Sequence, residues 1–111
     1  MERVTVSNEL EIRTPELSKA MMVFRALNNK VRRQILLLLH QNKTMTVSSV
    51  YHKLKIEQSV ASAHLAILRK ERIVTTDREG KHVHYSVNYK RLNEIGAVVQ
   101  QLLNMGSAQA G

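Results

Sequence analysis

The apolar residues of this chain change their spacing once, abruptly, and then change it back. Up to about Arg72 they recur every three or four positions, as one face of successive helices requires. From Ile73 to Val87 they alternate, which is the period of a strand, and from Asn88 the helical spacing returns. In 111 residues that pattern leaves room for one domain of packed helices with a single hairpin set among them.

The boundaries follow from local chemistry. Thr14-Pro15-Glu16 is a helix start, since the threonine hydroxyl can accept an orphan amide and proline loses nothing at the first helical position. The first helix is predicted to run to about Leu27, with Leu17, Ala20, Met21, Phe24 and Leu27 as its stripe. Asn28 and Asn29 interrupt it before a second helix over about Lys30 to His40. Thr46 is placed to cap a short third helix, Val47 to Leu54, whose apolar face is Val47, Val50, Tyr51 and Leu54. A turn at Lys55 to Glu57 leads to a fourth helix. The hairpin "IVTTDREGKHVHYSV" is expected to turn at Glu79-Gly80, with Arg78 and Lys81 at its tip. Asn88 caps a last helix striped by Leu92, Ile95, Val99, Leu102 and Leu103 and ended by Gly106. Residues 14–105 therefore form the working domain, 1–13 an N-terminal extension and 106–111 a flexible tail.

Charge narrows the partners. Seventeen Lys and Arg against nine Asp and Glu give a formal charge of +8, which favours a densely negative partner: nucleic acid first, an anionic membrane surface second. No cysteine is present, which removes disulfides, thiolate metal sites and thiol switching. The longest aliphatic run, Ile35 to Leu39, is far too short to span a bilayer. A soluble, cytoplasmic, nucleoid-associated protein without a membrane partner is expected.

Two short helices followed by a hairpin make a winged helix-turn-helix, so the fold expected is mainly α with a small β-hairpin. The fourth helix then has an unusual outer face. In "EQSVASAHLAILRKE", Ala61, Leu65 and Leu68 share one side, while Gln58, Ser59, Ser62, Ala63 and Ala66 fall largely on the other. A helix left to solvent would carry Glu and Lys there, which are better helix formers and keep a surface soluble. Short amide and hydroxyl side chains instead let a backbone approach base edges in the major groove.

The segments "ALNNKVRRQILLLL", "TVSSVYHKLKIEQSVASAHLAILRKERIV" and "REGKHVHYSV" resemble, in order and spacing, the winged-helix repressors of the ArsR/SmtB family, over about Leu17 to Leu103. The resemblance implies a homodimeric transcriptional regulator, usually a repressor, that binds DNA and pairs through its first and last helices. The chain departs from the family pattern at Asn29-Lys30, where Asp-Pro is frequent, and at Val60, where a threonine hydroxyl is lost. The family's thiol pair would fall at Thr46 and Ser48, which supply no thiolate. Its Asp and His ligands on the last helix are also missing, since Glu94 is the sole carboxylate side chain after Tyr89.

The remaining histidines offer little. His82 and His84 lie on one side of a strand, but two histidines without a further ligand do not make a metal site, and none is expected. His64 reads as a half-buried ring near the packing surface in preference to a base contact. His40 reads as the last-turn residue of the second helix and His52 as a surface residue of the third. Ser48, Ser49 and His52 lack an orienting acid, so no enzyme and no cofactor are expected.

The DNA-binding set expected is Thr46 and Ser48 on the third helix, Gln58, Ser59, Ser62, Ala63 and Arg69 on the fourth, and Arg78, Lys81 and His82 on the wing. The dimer set is Leu17, Met21, Met22 and Phe24 with Leu92, Ile95, Val99, Leu102 and Leu103, a stripe that a single domain does not need for its own core. The partner is double-stranded DNA with a palindromic site, read by a homodimer. The alternative is a protein-interaction module whose basic charge serves an acidic protein; a metal-dependent hydrolase built on the histidines is a distant third.

Overall fold

The computed structural model describes residues 4–5, 11–12 and 15–110, without the side chains of residues 4, 5, 11, 12, 16, 17, 102, 103 and 105–110. The cap expected at Thr14 and the stripe positions Leu17, Leu102 and Leu103 thus lie outside the described residues. Elements follow in the order β1 Val4–Thr5, β2 Glu11–Ile12, α1 Pro15–Leu27, α2 Lys30–Asn42, α3 Val47–Leu54, α4 Gln58–Lys70, β3 Val74–Glu79, β4 His82–Val87 and α5 Tyr89–Ala110.

Each central helix starts on a side-chain acceptor where the sequence supplies one. Asn29 Oδ1 accepts the Arg32 amide at 3.0 Å to open α2, Thr46 Oγ1 accepts the Ser49 amide at 3.2 Å to open α3, and Asn88 Oδ1 accepts the Arg91 amide at 3.2 Å to open α5. Asparagine at position 29 therefore does for α2 what the family's frequent aspartate would do. The ends are as well defined. The Lys55 amide bonds His52 O and the Ile56 amide bonds Tyr51 O; after α4 the Arg72 amide bonds Arg69 O and the Ile73 amide bonds Leu68 O. These are paired C-terminal bonds of the Schellman kind, with Lys55 (φ 57°) and Arg72 (φ 61°) left-handed where glycine is customary. Leu68 and Ile73, which this geometry brings together, are both fully buried.

The core is built from one stripe of each helix: Ala20, Val23 and Ala26 of α1, Ile35 and Leu39 of α2, Val50 of α3, Ala61, Leu65 and Leu68 of α4, and Ile95 of α5. The run Ile35 to Leu39 is thereby resolved, since helical geometry buries its two ends and leaves Leu37 exposed. On α1 the buried residues are small, and Met21, Met22 and Phe24 stay exposed.

β3 and β4 pair antiparallel from Val74↔Val87 to Glu79↔His82. The connecting residues are thus Gly80 and Lys81, one position later than the Glu79-Gly80 turn expected. Gly80 has φ +63°, as a two-residue hairpin turn with glycine first requires. Met45 forms an isolated antiparallel bridge to β4, exchanging two backbone bonds with Tyr85 at 3.1 and 2.8 Å. This ties the α2–α3 link to the wing.

The chain ends hold secondary structure beyond that expected. Val4–Thr5 and Glu11–Ile12 pair as short antiparallel strands within the N-terminal extension. The last helix also does not stop at Gly106 but continues to Ala110; no proline follows Gly106 to force an end, and Ala and Gln sustain a helix that a lone glycine only weakens.

Candidate nucleic-acid interface

α4 is held by its two ends and its inner face, and its outer face is left bare. Ala61, Leu65 and Leu68 are buried, while Gln58, Ser59, Val60, Ser62, Ala63, Ala66, Ile67, Arg69 and Lys70 are all exposed. At 100° per residue that exposed surface has three parts. Gln58, Ser62 and Arg69 form a polar flank, Ser59, Ala63 and Ala66 a small-residue crest that ends at Lys70, and Val60 with Ile67 an apolar flank. No carboxylate stands in the first turn of α4, and its N-cap Glu57 makes no side-chain capping bond, so the amides at this end remain available to an outside acceptor.

The C-terminal end of α4 is tied to α5. Asn88 Nδ2 donates to Arg72 O at 2.9 Å and the buried Arg91 donates through Nε to Glu71 O at 3.2 Å. The same device joins α1 to α2. Arg32 Nε donates to Ala26 O, its Nη2 to Arg25 O at 3.5 Å, and Arg33 Nη1 to Leu27 O at 2.9 Å. Among the described residues, Arg32, Arg33 and Arg91 are thus engaged with helix C-termini, where cations complement the dipole.

Arg32 also reaches α4. Its Nη1 lies 3.3 Å from His64 Nδ1; because arginine can only donate, the ring nitrogen accepts and the imidazole is neutral. Burial pushes the His64 pKa below the ordinary histidine value, and the Arg32 charge pushes it the same way. His64 is half-buried and belongs to the helix's support, in keeping with its expected structural part.

On α3, Thr46 is half-buried and its hydroxyl is occupied with the amide and hydroxyl of Ser49, the latter at 3.1 Å. Ser48 is exposed, and His52 Nδ1 donates to its carbonyl at 2.8 Å. The imidazole thus bonds backbone and activates neither serine hydroxyl.

The wing divides its expected residues. Arg78 pairs with Val83 on the face that continues to the buried Val74 and Val87, and Lys81 lies in the turn. His82 pairs with Glu79 on the opposite face, which also carries Asp77 and His84. Arg78 and His82 are therefore not brought together, and His84 Nε2 is 3.5 Å from Glu79 Oε1. Asp77 and Glu79, alternating with Arg78, offset part of the charge that Arg78 and Lys81 bring to the tip. Among the described residues no group of three or more His, Cys, Asp or Glu is placed to hold a metal ion.

On the dimer set, Met21, Met22 and Phe24 are 45, 41 and 47% exposed, an apolar surface uncovered on α1. The last-helix stripe behaves differently. Ile95 is only 6% exposed, and Leu92 and Val99 pack half-buried on the same core. The described part of the stripe, Leu92, Ile95 and Val99, is therefore part of the protomer's own core, against the expectation that a single domain does not need it; the described buried residues of α1, Ala20, Val23 and Ala26, are too small to close that core alone.

The comparisons agree with this geometry. A sequence profile described as bacterial regulatory protein, arsR family, matches residues 29–76. An HTH-type transcriptional regulator of Methanocaldococcus jannaschii is 37% identical over 84 residues, 76% of this chain and 94% of the relative. The transcriptional activator HlyU of Vibrio cholerae is 33% identical over 77% of this chain and 75% of its own. The transcriptional repressor SdpR of Bacillus subtilis is 30% identical over 76% and 92%. Among solved structures, an ArsR-like transcriptional regulator from Rhodococcus sp. RHA1 superposes with a TM-score of 0.82 over 87% of this chain and 91% of that one, at 20% identity, which speaks to the fold. A homodimeric winged helix-turn-helix DNA-binding domain from Mycobacterium bovis, a possible ArsR-family regulator, superposes at 0.64 with 29% identity, covering 79% of this chain and 81% of that one. With four helices, a β-hairpin wing and a closing helix in the expected order, and with these relatives, the chain belongs to the ArsR family of bacterial transcriptional regulators.

Proposed function

We propose that two copies of this chain pair through the exposed apolar side of α1 and the outer part of α5, and that each lays α4 in the major groove of one half of a palindromic duplex operator. The bare outer face of α4 carries the reading: it is exposed over three turns and free of Glu and Asp, with side chains short enough for close approach. Gln58 and Ser62 read base edges, Ser59 and Ala63 set the approach, and Ser48 and Arg69 hold phosphates. Thr46 contributes by orienting α3. Of the wing residues, Lys81 and Arg78 follow the backbone, and His82 comes second because it shares its face with Asp77 and Glu79.

A duplex occupied in this way is closed to other proteins, so the reading favours repression. Relatives bearing both activator and repressor names fit a common binding mode whose outcome depends on where the operator lies. The unit that binds and pairs is residues 14–105, acting in the cytoplasm at the nucleoid, with residues 1–13 and 106–111 accessory. It works without a cofactor, a metal-dependent control or a catalytic step, and its partner is duplex DNA rather than an acidic protein. Selection of bound duplexes from a random pool tests this, with Gln58→Ala and Ser62→Ala as comparators. Each variant is expected to relax discrimination by about 1–3 kcal/mol at one symmetric pair of positions. Wild-type discrimination retained by both would remove α4 from the groove.

A further inference from the structure

The outer face of α4 is not uniformly polar. Val60 is 39% exposed and Ala63, three residues on, is exposed beside it. Nothing in the fold calls for a branched apolar side chain there: the core side of α4 is filled by Ala61, Leu65 and Leu68, all at most 1% exposed. Valine is also a mediocre helix former, since its β-branched side chain is restricted against the preceding turn. Residue 60 therefore weakens the helix slightly and gives part of its apolar surface to water.

Resting on the DNA reading above, we propose that Val60, with Ala63 beside it, recognises the C5-methyl group of a thymine in each half-site. Of the groups presented in the major groove, the thymine methyl is the apolar one, and side chains of this size are its natural complement. Val60 and Ala63 stand in the first two turns of α4, the part of a recognition helix that meets base edges, where Val60 borders the crest formed by Ser59 and Ala63. The polar flank of Gln58 and Ser62 would read hydrogen-bonding edges while the opposite flank reads a methyl. The two flanks thus account for different base pairs of one half-site.

The test uses a duplex selected by the wild-type protein, resynthesised with deoxyuridine in place of thymidine at one symmetric position at a time, which removes only the methyl. Removing one buried methyl is expected to weaken binding about fourfold, and about fifteenfold when both half-sites are changed. Val60→Ala should bind the thymine duplex more weakly and should show a smaller penalty than wild type for deoxyuridine at that position. Because residue 60 is exposed and alanine is the better helix former, the melting temperature of Val60→Ala should equal or slightly exceed that of wild type. The proposal is overturned if deoxyuridine is tolerated at every position, or if Val60→Ala keeps the full penalty. Specific binding that ignores the methyl would sink this inference alone, whereas failure to select any duplex would remove the DNA reading beneath it.

Discussion

Replacing Arg32 by methionine keeps the aliphatic stem and removes every donor, and the structure sets what should follow. The guanidinium makes one strong charge-assisted bond, to Ala26 O at the closing turn of α1. Its contacts with Arg25 O at 3.5 Å and His64 Nδ1 at 3.3 Å are long and contribute little. Ala26 is 4% exposed, so water does not readily replace the lost donor, and the carbonyl is left short of a partner. A bond of this kind is worth about 1.5–3 kcal/mol, and an estimate of about 2.5 kcal/mol for the whole replacement is reasonable. For a chain of 111 residues the entropy of unfolding near the midpoint is about 0.23 kcal/mol per degree, which places the fall in Tm on the order of 10 °C. Thermal unfolding at one fixed protein concentration is the assay, because pairing would make Tm depend on concentration. Arg33→Met is the comparator. Arg33 is exposed and makes a single bond to Leu27 O, so its loss should cost about 0.5–1 kcal/mol, or under about 5 °C. An Arg32→Met protein that melts within about 3 °C of wild type, or an Arg33→Met protein that loses as much, would refute the clasp between α1 and α2.

The remaining predictions concern charge. Because the lowered pKa of His64 favours its neutral form in the fold, the stability it contributes is complete above the unfolded value of about 6.5 and is lost as pH falls through the folded one. His64→Gln should therefore lose less stability than wild type between neutral pH and pH 5, and parallel stability curves would remove His64 from the support of α4. At the wing, replacing Arg78 and Lys81 by alanine should weaken binding to every duplex and make the log-affinity against log-salt slope shallower by up to about two phosphates per protomer. An unchanged slope would place the wing off the DNA.

Much of this molecule could be read from local chemistry. The bounds of α3, the caps at Thr46 and Asn88, and the inner face of α4 all depend on residues within one or two turns of each other, and the sequence places them correctly. The hairpin was legible as a hairpin but slipped by one position at its turn, because Gly80 can occupy either place in a two-residue loop and the register is set at the far end by Val74 and Val87. What could not be read depends on distant parts of the chain. Arg32, Arg33 and Arg91 look like free charge until the helix ends they serve are brought beside them, and Ile95 looks like spare apolar surface until α5 folds back on α1. The left-handed residues Lys43, Lys55 and Arg72 carry no glycine to announce them. For the interface, the bare face of α4 was visible from residue types alone. Its division into a polar flank and an apolar one, and the separation of Arg78 from His82, needed the backbone.

The central claim is that the exposed face of α4 enters the major groove at two symmetric places. Methylation of guanine N7, which blocks major-groove edges only, can be introduced before binding and scored position by position. Interference is expected in two patches whose centres lie about 10 base pairs apart, with Gln58→Ala losing sensitivity within each. Binding that is indifferent to N7 methylation throughout a guanine-containing operator, or interference confined to one unpaired patch, would contradict the account.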